Sequence, residues 1–478
     1  MESYEFVVIG AGASGEAAAS LAAERGRRVA IVDPDLFGGS CAFWACMPSK
    51  ALLHAAAVHY AGGDYPWSRA SAFRDWMINR EEIDYPDDRE RVRSLERKGA
   101  TVIRGRARLA GPRRVDVEEI SRPEGAGGEP VGRRELETEN VVVAVGSHSR
   151  IPPVEGLSGI DYWTNRQGTS TRELPKSLIV LGGGPTGVEL AQVYARYGVD
   201  VTIVDSNDRL LARDHPRNSA AITDALERDG AKVRTGVRAR SVSAAEGAHG
   251  TNGPDGRAGH VIELSDGTRV EGERILVAVG RAFPVAELGL ETVGVELTDG
   301  APPKPDGTLR IADGVYMVGD PAGPEMHTHL AHYEGEMAVR IALGEEITPD
   351  FRAIPRATYT DPETASVGLR LDEAKKAGHP DAFEETADIG SAAKGYVTET
   401  TGHVTIVVDP ADGVLLGAFI AGPGASEAIH EAVLAVKLRV PVHVLADTLH
   451  AFPTTARVMG GLFTKVARRL AREATPGD

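Results

Sequence analysis

Two cysteines stand five positions apart in a chain that contains no others. They lie in the segment Gly38-Gly39-Ser40-Cys41-Ala42-Phe43-Trp44-Ala45-Cys46-Met47-Pro48-Ser49-Lys50. Four intervening residues allow the two sulfurs to meet, and a disulfide that closes so small a loop is reducible rather than structural. We interpret Cys41 and Cys46 as a redox pair. The alternative interpretation is two buried thiols without reactivity.

The segment after the second cysteine has the pattern of a helix. Pro48 is expected at the first helical position, and the apolar residues Leu52, Leu53 and Ala56 follow at helical intervals. This pattern places Cys46 at or near a helix N-terminus, where the helix dipole and unpaired backbone N–H groups favour a thiolate. A thiolate is the form of cysteine that exchanges with disulfides or donates charge to a flavin.

A glycine-rich turn precedes the cysteines and predicts a dinucleotide site. The apolar strand Glu5 to Ile9 runs into Gly10-Ala11-Gly12-Ala13-Ser14-Gly15, then a helix from Glu16 to Arg25 and a strand from Arg28 to Val32 that ends on Asp33. In this fingerprint Gly10 makes the tight turn, Gly12 lets a pyrophosphate approach the backbone, and Gly15 allows close helix packing. Asp33 would accept ribose hydroxyls. The alternative is a glycine turn in an ordinary βαβ unit.

The same fingerprint occurs a second time. The strand Leu178 to Leu181 runs into Gly182-Gly183-Gly184-Pro185-Thr186-Gly187, and a helix to Tyr197 and a strand Asp200 to Val204 lead to Asp205. Two sites imply two nucleotides, most economically a flavin dinucleotide held permanently and a nicotinamide dinucleotide that exchanges. Asp205 would bind a ribose 2′-OH and repel a 2′-phosphate, which predicts NADH over NADPH. The nearby arginines, which could soften this preference, are interpreted as solvated loop charges: Arg209, Arg213 and Arg217.

The remaining segments must position these groups. Apolar strands are expected at Asn140 to Val145, before Gly146-Ser147, and at Val315 to Val318, before Gly319-Asp320, with a helix from about His329 to Leu343. Gly62 to Lys98 is interpreted as surface helix and loop, Ser121 to Arg134 as a hairpin tip and Glu246 to Gly259 as an exposed hairpin loop. After Pro349 come four strands and two helices without a nucleotide fingerprint. Because this part has no cofactor of its own, we expect it to form a dimer interface. The expected elements are Ala357 to Thr360, Thr364 to Leu369, Val404 to Val408, Leu415 to Ala421, Ser426 to Leu438 and Val442 to Leu449.

Composition narrows the class of protein. A length of 478 residues predicts two to four domains, and a formal net charge of −16 argues against nucleic-acid or anionic-membrane partners. Two cysteines provide no disulfide framework, which favours a reducing compartment. The N-terminus enters a strand without a signal-peptide pattern, and no window approaches eighteen uninterrupted apolar residues. We therefore expect a soluble, cytoplasmic protein without a metal site.

Taken together, the motifs resemble those of the flavoprotein disulfide reductases, the pyridine nucleotide-disulfide oxidoreductase family of dihydrolipoamide dehydrogenase and glutathione reductase. The resemblance covers essentially the whole chain. It implies an α/β fold of two Rossmann-like dinucleotide-binding domains, for FAD and NAD(P), plus a C-terminal α+β dimerisation domain. The implied division is 1–150 (FAD, first part), 151–281 (NAD(P)), 282–348 (FAD, second part) and 349–478 (dimerisation). The motifs are the two fingerprints, the cysteine segment, Ala278-Val279-Gly280-Arg281, Gly319-Asp320 and Tyr359-Thr360-Asp361-Pro362-Glu363-Thr364-Ala365-Ser366-Val367-Gly368-Leu369.

The resemblance also implies roles for individual residues. Hydride would pass from NAD(P)H to FAD, and the reduced flavin would open the Cys41–Cys46 disulfide. Cys46 matches the flavin-proximal thiolate and Cys41 the interchange thiol that meets substrate. Lys50 matches a lysine beside the flavin N5 that pairs with a glutamate, here Glu189. The implied cofactor contacts are Gly10, Gly12, Ala13, Ser14, Gly15, Asp33, Gly39, Ser40, Lys50, Gly146, Gly319 and Asp320 for FAD, and Gly182, Gly184, Pro185, Thr186, Gly187, Glu189, Asp205, Gly280 and Arg281 at the nicotinamide side.

One departure from the family pattern concerns proton transfer. Typical members carry His-Pro-Thr-x-x-Glu near the C-terminus, where a histidine from the partner subunit serves the interchange thiol. Here the segment reads His450-Ala451-Phe452-Pro453-Thr454-Thr455-Ala456-Arg457, so that Phe452 and Arg457 occupy the relay positions. Phenylalanine cannot transfer a proton. His450 is an alternative proton carrier, although a structural or helix-end role is the favoured interpretation.

Several functions stay open at this point. The first hypothesis is a homodimeric FAD-dependent NAD(P)H oxidoreductase that passes electrons through the cysteine pair to an unidentified small-molecule acceptor without the relay. The second is a soluble transhydrogenase or a quinone or dye reductase in which the cysteines are dispensable. A member like 2-ketopropyl-coenzyme M oxidoreductase/carboxylase is a further alternative, although that enzyme typically lacks the lysine matching Lys50. Mercuric reductase is disfavoured because its usual C-terminal cysteine pair is absent. A nucleotide-responsive scaffolding flavoprotein without catalysis is the alternative from another class.

Overall fold

The first glycine turn lies at the centre of a mostly parallel sheet. The computed structural model describes residues 2–81, 84–245 and 259–473; the segment expected to form a hairpin loop, 246–259, lies almost entirely outside them. The elements of the first part are β1 (Glu2–Ile9), α1 (Ala13–Glu24), β2 (Val29–Asp33), α2 (Gly39–Phe43), α3 (Cys46–Tyr60), α4 (Trp67–Met77), α5 (Arg89–Arg97), β3 (Thr101–Leu109), β4 (Arg114–Ile120), β5 (Pro130–Val143) and β6 (His148–Ser149).

β1 pairs in parallel with β2 on one side and with the second half of β5 on the other. The second half of β3, β4 and the first half of β5 form an antiparallel meander. The turn between β4 and β5 spans residues 121–129, within the expected hairpin tip. Because the carboxyl ends of parallel strands share one edge of a sheet, β1, β2 and β5 direct their following loops into one crevice.

The second glycine turn lies in a separate parallel sheet. Its strands follow the order β13-β7-β8-β9, and β10, β11 and β12 form a three-stranded antiparallel sheet beside it. The elements are α6 (Asn165–Ser170), β7 (Ser177–Leu181), α7 (Pro185–Arg196), β8 (Asp200–Val204), α8 (Pro216–Arg228), β9 (Lys232–Arg234), β10 (Ala239–Ala244), β11 (His260–Leu264), β12 (Arg269–Gly272), β13 (Arg274–Val277) and β14 (Arg281–Ala282).

The chain then returns to the first sheet. β14 pairs with β6, so that the strand leading into the second sheet and the strand leading out of it lie side by side. β16 adds in parallel to β5, and α9 packs with α1 over one face of the first sheet. The elements of this return are β15 (Arg310–Ala312), β16 (Val315–Met317) and α9 (Thr328–Ala342).

The C-terminal part is an antiparallel sheet in the order β17-β18-β21-β20-β19 with helices on one face. The sequence pattern did not predict four of these elements, namely β19, α10, α11 and α14. The elements are β17 (Arg356–Thr358), β18 (Thr364–Gly368), α10 (Leu371–Lys376), β19 (Phe383–Asp388), α11 (Ala393–Thr398), β20 (His403–Asp409), β21 (Val414–Ala421), α12 (Ala425–Leu438), α13 (Val442–Asp447) and α14 (Thr455–Glu473). The fold is therefore the expected mixed α/β fold. The domain boundaries at 150, 281 and 348 stay a prediction.

Two local expectations differ from the structure. α3 begins at Cys46, so that Pro48 is its third residue and not its first; the missing N–H of proline is tolerated anywhere in that first turn because those N–H groups have no partner within the helix. The segment 62–98 is not only a surface segment. Two residues of α4, Trp67 and Arg74, are buried. Trp67 packs with α3 and α7 in one apolar cluster.

One described stretch, Gly39–Tyr60, is long and apolar enough to cross a membrane by length and composition. It consists of α2 and α3, which are separated by a bend, and 56% of its most apolar window is buried inside the protein. Because the core helix of a globular protein has the same properties, this stretch is weak evidence for a membrane span.

Candidate active site

The two thiols meet where α2 and α3 join. Cys41 lies in α2, and Cys46 is the first residue of α3. The helix N-terminus predicted for Cys46 is thus confirmed. Both cysteines are free thiols in this structure, and the Cys41 thiol donates a hydrogen bond to the Cys46 sulfur.

The surroundings make the two sulfurs unequal. The hydrogen bond from Cys41 lowers the pKa of Cys46 to about 6, with further help from Thr328 and the Lys50 charge and against the effect of burial. The same hydrogen bond, burial and the charge on Cys46 raise the pKa of Cys41. The Thr328 Oγ1 lies 3.4 Å from the Cys46 Sγ. The pair thus favours one thiolate, at Cys46, beside one thiol.

A lysine and a glutamate form an ion pair next to the cysteine helix. The Lys50 Nζ lies 2.8 Å from the Glu189 Oε2 and 3.0 Å from its Oε1. Glu189 is only 4% exposed, and it also accepts a hydrogen bond from the Tyr359 backbone N–H at 3.0 Å. The Lys50 Nζ lies 4.7 Å from the centre of the Tyr359 ring. Residues from α3, α7 and the C-terminal sheet therefore hold this ion pair in one orientation.

One cavity connects the groups that the sequence singled out. It has a volume of about 3310 Å³ and reaches both glycine turns, both cysteines and the Lys50–Glu189 pair. Most of the expected cofactor contacts line it: Gly10, Gly12, Ala13, Ser14, Asp33, Gly39, Ser40, Gly146, Gly182, Gly184, Pro185, Thr186, Asp205, Gly280, Arg281, Gly319 and Asp320. The third glycine of each turn, Gly15 and Gly187, does not.

The glycines fit two dinucleotides. A Cβ at Gly15 would lie 1.9 Å from the Gly10 carbonyl oxygen, and one at Gly187 would lie 1.9 Å from that of Gly182, so these glycines allow close packing. A Cβ at Gly12 or Gly184 would meet nothing within 4 Å, so that both middle glycines border open space. No side chain caps α1 or α7, and their first N–H groups are available for a pyrophosphate.

Carboxylates lie at the ends of three strands of the two parallel sheets. The Asp33 side chain accepts hydrogen bonds from Ala11 N and Asp35 N, and burial raises its pKa to about 6. Asp205 accepts from Gly183 N and from Asn207, which ties it to its own turn. Asp320 accepts from the Ser147 hydroxyl, and Arg281 donates to that same hydroxyl at 2.8 Å. These carboxylates can accept hydrogen bonds from ribose and ribityl hydroxyls. Asp205 has fewer free acceptor positions than the sequence suggested, because Gly183 and Asn207 already donate to it.

The C-terminal segment lies away from the cavity within this chain. Phe452 is 74% exposed and Arg457 is exposed, and neither lines the cavity. The His450 side chain is 4% exposed, and its Nε2 lies 2.8 Å from the Glu431 Oε1. Its Nδ1 has no partner among the described residues, because the ring packs against Gly460. His450 is therefore held in a structural pair between α12 and α14, as the favoured interpretation had it.

The sequence pattern did not predict Thr328 as a neighbour of the sulfurs. Thr328 is the first residue of α9, one position before the helix start that the sequence predicts. A polar residue at the start of a helix that follows Gly319-Asp320 was the available signal. Its contact with Cys46 spans 282 positions of the chain and could not be read from local pattern.

Comparisons with known proteins agree with this geometry. The family model described as pyridine nucleotide-disulphide oxidoreductase matches residues 4–335, and the model of that family's dimerisation domain matches residues 354–462. Dihydrolipoyl dehydrogenase from Thermus scotoductus is 33% identical over 95% of this chain and 95% of its own length, and that from Halobacterium salinarum is 32% identical over 94% and 93%.

Solved structures give the same result. LpdA from Mycobacterium tuberculosis is 27% identical and superposes with a TM-score of 0.82 over 98% of this chain and 100% of its own. The HOCl-induced flavoprotein disulfide reductase RclA from Escherichia coli, at 24% identity and a TM-score of 0.84 over 98% of this chain and 100% of its own, shares the fold. The chain belongs to the pyridine nucleotide-disulphide oxidoreductases, a family of FAD-dependent, NAD(P)H-dependent flavoprotein enzymes with a C-terminal dimerisation domain.

Proposed function

We propose that this enzyme takes electrons from NADH and passes them through FAD and the Cys41–Cys46 pair to a small-molecule acceptor, without a histidine–glutamate relay. The observation that carries the proposal is the pair of unequal thiols, which lines the same cavity as both glycine turns and the Lys50–Glu189 ion pair. Bound FAD would supply the two-electron transfer between nicotinamide and sulfur.

The residues of this chain account for the proton that the reaction needs. Opening the disulfide consumes two electrons and one proton, and it leaves Cys41 as a thiol and Cys46 as a thiolate. Thr328 and the Lys50 charge stabilise that thiolate. Because Phe452 stands at the relay position and His450 is buried against Glu431, neither residue exchanges the proton on Cys41.

The preference for NADH rests on the second nucleotide site. The Asp205 carboxylate lies at the cavity and would repel a 2′-phosphate. The Arg209 guanidinium donates to the carbonyl oxygens of Ala212 and Asp214 in its own loop, which leaves it less able to attract that phosphate. We expect kcat/KM for NADH to exceed that for NADPH at least tenfold.

The central experiment is anaerobic titration of the purified enzyme with NADH. We expect a long-wavelength charge-transfer band that is absent in Cys46→Ser. Cys41→Ser should keep the band, because the flavin-proximal thiolate remains, but should lose turnover with disulfide acceptors. If no band formed in the unmodified enzyme, the pair would not be coupled to the flavin.

A second experiment tests the missing relay. General acid–base catalysis contributes about 10²–10⁴-fold, so dihydrolipoamide should be a correspondingly poor substrate. The double variant Phe452→His with Arg457→Glu restores the family residues and should raise dihydrolipoamide turnover at least tenfold. Turnover by the unmodified enzyme at a rate comparable with that of a member that carries the dyad would contradict the proposal.

A transhydrogenase or quinone and dye reductase is the second candidate, and the exposed Phe452 at the relay position favours it. This activity would not need the cysteines. A screen against quinones, dyes, small disulfides and nucleotide analogues separates the two, because Cys41→Ser would then leave turnover unchanged. We further propose that the enzyme is cytoplasmic, since the only two cysteines of its sequence belong to the redox pair. We also propose that it is a homodimer, since residues 354–462 match the family's dimerisation domain.

A further inference from the structure

The carbonyl of Trp44 is held by a helix from another part of the chain. Trp44 follows the last residue of α2, and Ala45 precedes the first residue of α3, so that this peptide sets the angle between the two helices that carry the cysteines. We propose that Asn165 and Thr169 of α6 are positioning residues that hold the Trp44 carbonyl and thereby set the redox equilibrium of the cysteine pair. The inference rests on the redox role proposed for that pair.

The contacts are direct and buried. The Asn165 Nδ2 donates to the Trp44 carbonyl oxygen at 2.8 Å. The Thr169 hydroxyl lies 3.2 Å from the same oxygen and 2.8 Å from the Asn165 carbonyl oxygen, so its single hydrogen is shared between them. Asn165 is 7% exposed and Thr169 1%. The carbonyls at the end of a helix lack intrahelical partners, and α6 supplies donors for this one.

α6 is itself fixed from two other helices. The Tyr194 hydroxyl of α7 donates to the Gly168 carbonyl oxygen at 2.6 Å. The guanidinium of Arg74 on α4, which is completely buried, donates to the carbonyl oxygens of Thr169 and Thr171. α6 is therefore a rigid support, because movement of the Trp44 peptide would break contacts with an element that cannot follow it.

The Trp44 ring is held as well. The Arg166 guanidinium lies 5.3 Å from the ring centre, and the Tyr85 ring centre lies 5.4 Å away. Both the backbone and the side chain of Trp44 thus have fixed partners within the described structure. These contacts select one orientation of α2 relative to α3.

The two redox states require different distances between the cysteines. A disulfide brings the two Cβ atoms to about 3.5–4.5 Å with a defined torsion, whereas two hydrogen-bonded thiols lie farther apart. The contacts of α6 with Trp44 hold α2 and α3 in the arrangement seen here, in which the two sulfurs are not bonded to each other. We infer that they favour the dithiol, and their loss should shift the equilibrium toward the disulfide.

The test uses the FAD-loaded enzyme and the variants Asn165→Leu and Thr169→Val, which remove the two donors with little change in volume. The dithiol–disulfide equilibrium is measured against a dithiothreitol redox buffer, and the charge-transfer band is recorded after anaerobic NADH titration. We expect the equilibrium of Asn165→Leu to move about tenfold toward the disulfide, which is a potential about 30 mV more negative for a two-electron couple. Thr169→Val should show a smaller shift in the same direction.

Two further variants separate positioning from general stability. Thr169→Ser keeps the hydroxyl and should behave as the unmodified enzyme. Gln167→Ala removes the exposed capping box of α6, in which Gln167 accepts from Thr164, but leaves the Trp44 contacts in place. It should lower thermal stability without changing the redox equilibrium.

The outcomes are distinct. A tenfold shift in Asn165→Leu without one in Gln167→Ala supports the inference. Equal shifts in both, no shift in Asn165→Leu, or a shift toward the dithiol would overturn it while leaving the proposed function intact. Absence of the charge-transfer band from the unmodified enzyme would instead overturn the proposed function, and this inference with it.

Discussion

At the scale of single residues, the environment assigns different chemistry to two identical side chains. Cys41 and Cys46 carry the same side chain and lie five positions apart, yet the pKa of one thiol is raised and that of the other is lowered. The difference arises chiefly because the Cys41 thiol donates a hydrogen bond to the Cys46 sulfur, which lowers the pKa of Cys46 and raises that of Cys41. The position of Cys46 at a helix N-terminus adds to this difference. A reduced pair with one thiolate and one thiol can undergo thiol–disulfide exchange in two successive steps.

The acidity of Cys46 predicts a pH dependence. Because its pKa is about 6, the charge-transfer band of the reduced enzyme should be full at pH 8 and should disappear as the pH falls through about 6. Thr328→Val removes a hydrogen bond to the thiolate and should move the midpoint upward by about one pH unit, since one such bond contributes about 1–2 kcal/mol. Thr328→Ser should restore it. A midpoint at the ordinary thiol value would contradict this assignment.

Glu334 predicts a second pH effect, on stability. This residue of α9 is fully buried; its Oε2 accepts from Gly319 N at 2.7 Å, and its Oε1 has no partner among the described residues. Burial raises its pKa from 4.5 to about 7, and the Gly319 N–H only partly opposes that shift. The folded state thus binds this proton more tightly than the unfolded state. The resulting stability is complete below pH 4.5 and is lost as the pH rises through 7.

The variant Glu334→Gln tests this linkage. It should raise the free energy of unfolding at pH 8 by about 2–3 kcal/mol and change it little at pH 4.5, because the buried charge is then absent at every pH. Chemical denaturation of the FAD-loaded enzyme at several pH values measures the effect. Glu336→Gln, an exposed position of the same helix, is the matched control and should leave the pH profile unchanged. A constant difference across the pH range would contradict the linkage.

At the scale of elements, α14 shows how neighbouring residues of one helix meet different surroundings. Gly460 and Gly461 are adjacent within it. A Cβ at Gly460 would lie 2.5 Å from the His450 Nδ1, whereas a Cβ at Gly461 would meet nothing within 4 Å. The first glycine allows the His450–Glu431 pair to pack beneath the helix, and the second has no such role in this chain.

Alanine substitutions at Gly460 and at Gly461 should therefore have opposite effects on the free energy of unfolding. Gly460→Ala should destabilise the enzyme by about 1–3 kcal/mol through overpacking against His450. Gly461→Ala should stabilise it by up to about 1 kcal/mol through the higher helix propensity of alanine. Denaturant unfolding of both variants at one protein concentration gives the comparison. If Gly460→Ala proved neutral, His450 would not be held as the structure has it.

At the scale of the whole molecule, the C-terminal part exposes large apolar side chains that no described residue of the chain covers. Leu449 is 99% exposed, Phe452 74%, Leu438 64% and Leu434 59%. Exposed apolar surface of this kind marks an interaction site, and this part of the chain matches the family's dimerisation domain. We expect a homodimer formed through this part of the chain to cover these residues.

A charge in this surface should disrupt the dimer. Leu438→Asp is expected to shift the protein toward monomer at micromolar concentration, because an obligate interface is apolar at its centre. Light scattering coupled to size exclusion measures the change. Val131→Asp, which alters a 65% exposed apolar residue at the start of β5, is the control and should leave the mass unchanged. A monomeric unmodified enzyme would exclude the proposed homodimer.

The sequence by itself determined what depends on short stretches of chain. The spacing of glycines at residues 10–15 and 182–187, the strands before them and the helices after them predicted two nucleotide sites, and the pattern after Cys46 predicted its helix N-terminus. The fold class came from the resemblance that these motifs carry. Such features follow from backbone geometry and hydrophobic periodicity, which act within a few residues. Motif resemblance supplied the pairing of Lys50 with Glu189, which periodicity alone did not reveal.

Only the tertiary structure decided how distant elements meet. It brought Thr328 to Cys46 across 282 positions and Asn165 to Trp44 across 121, buried His450 against Glu431, and tied the Asp205 carboxylate to its own turn. Each of these contacts depends on the packing of whole helices and sheets. No local sequence pattern indicates which distant residues will be neighbours in the folded chain. The electron-transfer groups could therefore be named from the chain, whereas the contacts that tune them required the folded molecule.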